Sequence, residues 1–134
     1  MKYLLFITII CISLTNSIYS QETNRINLVE KEGKMYEKSE KKPFSGEAYT
    51  YYETKEKETC EKYKKGKLIS VTNWYQSGNL KEKILYKKGN ENGIATGRFE
   101  TGEKCYEGAY KKGEKKGTWI WFNKDGTEKR STKF

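Results

Sequence analysis

A period of 23 to 24 residues runs through the chain and leaves little freedom in how it can fold. Tyr63-Lys-Lys-Gly66, Tyr86-Lys-Lys-Gly89 and Tyr110-Lys-Lys-Gly113 are near-identical and lie 23 and 24 residues apart. A second set of glycines, Gly78, Gly102 and Gly126, steps by 24 and 24. Between these landmarks come an aromatic residue (Tyr75, Phe99 or Phe122) and a middle glycine (Gly93 or Gly117). Gly46 holds the middle position early in the chain, and Ser70 stands in that slot of the second unit. Self-similarity at a short fixed period marks an architecture in which each unit packs mainly on its neighbours.

Each unit reads as a β-hairpin. Val71-Thr72-Asn73-Trp74-Tyr75 and Trp119-Ile120-Trp121-Phe122 are β-branched and aromatic, a composition that suits a pleated, half-buried strand. Gln76-Ser77-Gly78-Asn79 and Lys124-Asp125-Gly126-Thr127 supply the positive φ that tight hairpin turns need. Leu80 to Tyr86 and Glu103 to Tyr110 then return as opposite strands. Glycines this frequent leave no room for a long helix. The expected fold is all-β: four to five tandem antiparallel hairpins in an elongated, twisted, single-layer sheet.

The pattern Tyr-x-x-Gly-x-x-x-Gly-x-Trp-x-x-[Tyr/Phe]-x-x-x-Gly, best seen from Tyr110 to Gly126, resembles the bacterial variant of the MORN repeat (membrane occupation and recognition nexus). Lys42-Pro43-Phe44-Ser45-Gly46 followed by Tyr51-Tyr52 resembles the first unit of such proteins. The resemblance covers roughly Leu28 to Phe134. The third copy departs most, with Ala95-Thr96-Gly97-Arg98 where aromatics are expected. The resemblance implies a non-enzymatic protein, and the family's usual label implies an antitoxin or immunity-type role.

Residues 1–20 are expected to be an export leader: Lys2, an apolar run from Tyr3 to Leu14, a polar exit ending Ile18-Tyr19-Ser20, and cleavage before Gln21. Cys11 follows Ile9 and Ile10 rather than a small residue, which speaks against a lipoprotein. The exported chain is placed in the periplasm, at the cell surface or outside the cell. Residues 21–27 are read as a polar tail and 28–134 as one repeat domain, with units near 28–62, 63–85, 86–109 and 110–134. The first unit closes with Thr54-Lys55-Glu56-Lys57, lysine standing where later units have glycine. Phe134 follows Gly126 by eight residues, as Tyr86 follows Gly78 and Tyr110 follows Gly102, so a last return strand is expected. The first hairpin, from Leu28 to Tyr36 with Gly33 in its turn, and the C-terminal strand would be open edges, open to strand addition by a partner or a second copy.

Little in the sequence points to catalysis. There is no histidine, so the commonest general base and metal ligand is missing. No metal-ligand set or cofactor motif is present, and Gly113-Glu-Lys-Lys-Gly117 lacks the spacing of a phosphate loop. Cys60 and Cys105 fall on related strands two repeats apart, roughly 19 Å at 4.8 Å per strand, well beyond the ~7 Å a disulfide spans. They are expected to be free thiols, with an intermolecular bridge as the alternative. The net charge of +9 rests on 27 Lys and Arg, of which three are Arg. This disfavours nucleic acid and leaves either a solvated surface or attraction to anionic lipid or polysaccharide. The aromatic rows are the candidate binding surface. Tyr51, Trp74 and Trp121 fall near equivalent places, as do Tyr52, Tyr75, Phe99 and Phe122, and Trp119 joins the first group as a candidate contact. Neighbouring residues point to opposite faces, so one row builds the core while the other either does the same or forms a platform for a protein or envelope component.

Overall fold

The computed structural model describes residues 21–134, and the expected leader lies outside the described residues. In chain order the strands are β1 (Gln21–Asn24), β2 (Leu28–Lys31), β3 (Lys34–Glu37), β4 (Gly46–Tyr51), β5 (Lys57–Lys64) and β6 (Lys67–Trp74). They continue as β7 (Leu80–Lys87), β8 (Asn90–Glu91), β9 (Gly93–Arg98), β10 (Lys104–Lys111), β11 (Glu114–Phe122) and β12 (Glu128–Lys133). The large sheet runs β1-β4-β5-β6-β7-β9-β10-β11-β12, with the short β8 paired to β7. Its pairings are antiparallel except that of β1 with β4. The chain is all-β, built of consecutive hairpins.

Two turn types alternate along it. The Tyr-Lys-Lys-Gly segments make two-residue turns in which both central residues have positive φ: Lys65 and Gly66, Lys88 and Gly89, Lys112 and Gly113. Glu32 and Gly33 do the same between β2 and β3. This is the type I′ geometry that matches the right-handed twist of hairpin strands. At the other ends of the hairpins, the N–H groups of Tyr52, Tyr75, Phe99 and Asn123 donate to the carbonyls of Glu56, Asn79, Glu103 and Thr127. The residues three positions on from each are Lys55, Gly78, Gly102 and Gly126, all at positive φ (76°, 84°, 101° and 82°). Lys55 thus adopts the glycine conformation of later units.

The middle glycines sit where the ladder slips. Glu107 pairs with Ile120 but Ala109 pairs with Lys116, so β11 carries extra residues around Gly117, whose φ is 71°. Gly93, at φ 122°, marks the matching break between β8 and β9. In the Ser70 unit the slip is a single residue, Ile69, between the Lys62–Ser70 and Tyr63–Leu68 pairs. Tyr63 lies directly opposite Gly46 and Tyr110 opposite Gly93. Phe134 exchanges both backbone bonds with Gly117.

Three expectations are corrected. Residues 21–24 are a strand rather than part of a tail, because an extended backbone can bond to the free edge of β4 whatever its side chains. Arg25 then anchors the segment through a 2.5 Å ion pair with Glu61. Next, the first hairpin is no edge of the large sheet. β2 and β3 form a separate two-stranded sheet that lies on one face, where Leu28 and Met35 pack with Phe44, Ala48, Tyr63 and Leu68. Gly66 is the seat: its carbonyl accepts from Met35 N–H at 2.8 Å and its N–H donates to Phe44 O at 2.7 Å. The edges of the large sheet are β1 and β12. The third correction is one of register. Counted back from the closing positive-φ residue, Phe122 is equivalent to Tyr51, Trp74 and Arg98, whereas Asn123 takes the place of Tyr52, Tyr75 and Phe99. A one-residue slip exchanges faces, so Trp121 points opposite to Tyr51 and Trp74.

Candidate binding surfaces

Of the four aromatic candidates, Trp119 is only 2% exposed. Its ring stacks on Tyr106 at 5.7 Å and meets Tyr110 edge-on at 4.9 Å, Trp121 at 6.1 Å and Phe134 at 6.5 Å. Its indole N–H donates to Ala109 O at 3.2 Å. Trp119 is core, not a contact residue, because Gly108 on the neighbouring strand leaves its ring room to lie flat. An ideal Cβ on Gly108 would come within 2.2 Å of that ring. The same device explains the aromatic gap in the third copy. Ala95 is fully buried, and a Cβ on Gly97 would fall 2.1 Å from the Tyr106 ring, so small residues on β9 make space for a large one on β10.

Tyr51, Trp74 and Trp121 are not brought together. Tyr51, 43% exposed, leans on Tyr49 with ring centres 6.3 Å apart. Trp121 faces the other way and is covered by the Arg130 guanidinium at 4.3 Å, with Lys115 at 5.3 Å. The second row is a set of latches between repeats. The Tyr52 hydroxyl donates to Trp74 O and that of Tyr75 to Arg98 O, each at 2.8 Å. Phe99 has no hydroxyl to continue the series.

Several polar groups on the sheet are tied to one another. Glu47 accepts from Lys62 at 2.8 Å and from the Tyr49 hydroxyl at 2.6 Å, and the Lys62 bond chiefly holds its carboxyl below the usual range. Burial pushes the phenols of Tyr63 and Tyr106 well up, reinforced by hydrogen bonds to Glu61 and Glu82. Cys60 and Cys105 are both free thiols. They sit on β5 and β10, four strand spacings apart, and burial raises the pKa of each. A thiol in that state is a weak nucleophile. Among the described residues, no cluster of cysteines and carboxylates could hold a metal ion.

An exposed apolar patch was not singled out from the sequence. Leu80, Leu85 and Ile94 stand 37%, 43% and 72% exposed. With Lys83, Thr96 and Arg98 they line a depression of about 370 Å3 on the face opposite Tyr106. The available signal was the adjacent pair Ile84-Leu85, which must place one apolar side chain on each face. Ile84 is half-buried on the side of Glu82 and Tyr86, and Leu85 takes the other. Comparison with protein-family models, characterised proteins and solved structures finds no match for the chain.

Proposed function

We propose that the chain is an exported, non-catalytic repeat module that holds a protein partner of the cell envelope against its sheet. The observation that carries this reading is the Leu80, Leu85 and Ile94 patch. In a chain only 34% apolar, three large aliphatic side chains share one open depression that no other part of the described chain covers. Contiguous exposed apolar surface with a polar rim characterises interaction sites, and Lys83, Thr96 and Arg98 supply such a rim. The resemblance of the repeat to MORN-type units supports a binding role over a catalytic one.

The test is a crosslinked pull-down from the cell's own envelope extract, with wild-type protein and with Ile94→Ser and Leu85→Ser variants. A discrete protein retained at high salt, and weakened about tenfold by Ile94→Ser, is the expected result. Equal capture by all three proteins, or capture of nothing, would refute the assignment. Ile94 is 72% exposed, so its replacement is expected to leave the fold intact.

A further inference from the structure

Six lysines converge on one groove at the edge of the sheet formed by the type I′ turns. Where the β2–β3 hairpin lies on the sheet, Lys34 stands beside Lys64, Lys65 and Lys67 of one turn and Lys87 and Lys88 of the next. The groove encloses about 720 Å3, and no carboxylate lines it. Among the described residues none of these six side chains forms an ion pair, whereas Arg25, Lys62 and Lys104 each have a carboxylate partner. Glu30 lines only the adjoining depression, which shares Lys34, Lys67 and Lys88 with the groove.

Two observations indicate that the charge serves a ligand. The first is steric. Lys65, Lys88 and Lys112 occupy the first central position of a type I′ turn at φ 51–56°, where Asn, Asp or Gly is easier to accommodate. Turn formation alone does not call for lysine there, let alone three times. The second is spacing. Successive turns are separated by two strands, about 10 Å, so Lys65 and Lys88 present charges at that interval within the groove, while Lys112 lies one turn further along, outside it. Lysine offers a point charge without arginine's planar fork, suited to reading charge density along a flexible chain. The groove also has an apolar floor of Pro43, Leu68 and Tyr86 that a carbohydrate ring can pack against.

We infer that this groove binds a linear acidic polysaccharide, its carboxylates met by the six lysines of the groove and one ring seated over Tyr86 and Leu68. A polymer of uronic acids carries a carboxylate on every sugar, so that alternate sugars can meet lysines of successive turns while an apolar sugar face lies between them. This site lies on the turn edge, apart from the Leu80–Ile94 patch, so either assignment can fail without the other.

The test uses a size-defined oligogalacturonate, measured by titration calorimetry at low and physiological salt, with phosphatidylglycerol vesicles and oligodeoxythymidylate as competing probes. Lys34, Lys64, Lys67 and Lys87 are exposed and outside the strained turn positions. The quadruple Lys→Gln variant at these sites is compared with a charge-matched variant at Lys38, Lys41, Lys124 and Lys129. Expected are saccharide binding that weakens with salt, a loss of about tenfold in the groove variant and less than about twofold in the control. Unchanged circular dichroism in both variants confirms that the fold is retained. Equal loss in both variants, no saccharide binding, or stronger binding to the vesicles or the oligonucleotide would overturn the inference.

Discussion

Replacing Gly108 with alanine tests whether the aromatic cluster is packed as described. The added Cβ would lie 2.2, 2.4 and 2.6 Å from Cδ2, Cε2 and Cγ of Trp119, against about 3.5–4.0 Å for a comfortable carbon contact. Rotation of the indole about its Cβ–Cγ bond cannot clear the clash, because Cγ lies on that axis, and a swing about Cα–Cβ would drive the ring into its aromatic neighbours. Translation is resisted by Tyr106, Tyr110, Trp121 and Phe134 and by the bond to Ala109 O. Overpacking of this kind costs about 1–3 kcal/mol, and loss of one good ring pair adds about 0.5–1.5 kcal/mol. Against this, alanine restricts the unfolded chain and returns about 0.4–1 kcal/mol. The expected destabilisation is about 2–3 kcal/mol by urea unfolding followed through tryptophan fluorescence. In the double variant Gly108→Ala/Trp119→Leu the smaller side chain should absorb the methyl, giving a favourable coupling of about 1 kcal/mol or more. A single variant within about 0.5 kcal/mol of wild type, or a strictly additive double variant, would refute the packing.

Lys55→Gly should stabilise the protein by about 0.5–1 kcal/mol, since the left-handed conformation costs an L-residue more than glycine's extra chain entropy; thermal unfolding reads this directly. Gly66→Ala should destabilise by about 2–3 kcal/mol. Its Cβ would sit 2.9 Å from Lys34 Cβ and from Met35 O, and hydrogen exchange should show β2–β3 amides losing protection first. At high pH, Tyr63 and Tyr106 should stay protonated past the ordinary tyrosine value of about 10 until the chain unfolds. Because their folded pKa values are raised, the stability they contribute is complete below that value and is lost as pH climbs through the folded one. Phenolate absorbance titration of native and urea-unfolded protein measures the difference, and coincident curves would contradict the burial.

The hairpin architecture was legible because the turns carry their own chemistry: Lys-Gly in type I′ turns and a residue at positive φ closing each unit. For the first unit the sequence marked only the closing segment Thr54 to Lys57, and the structure shows that Lys55 takes the glycine's place. The N-terminal strand was not legible, since Gln21 to Asn24 has no apolar alternation and is held by backbone bonds. The seating of the first hairpin was hidden too, because it depends on Gly66 approaching Met35, a contact between distant segments. The grouping of the aromatic candidates failed for a subtler reason. Phe122 precedes Gly126 by four residues, where Tyr75 and Phe99 precede their glycines by three. That single step exchanged the faces of Trp121 and Phe122, and grouped Trp121 with residues it never meets.

The order of strands in the large sheet follows their order in the chain from β4 to β12. Nearly every pairing is therefore local, which favours rapid formation because little loop-closure entropy stands in the way. A chain emerging from its N-terminal end could lay down one hairpin at a time, each templated by the last. Only β1 must wait, its neighbour β4 arriving after the intervening hairpin has passed. Assembly of the large sheet should thus proceed from β4 onward in chain order, with β1 joining once β4 is in place.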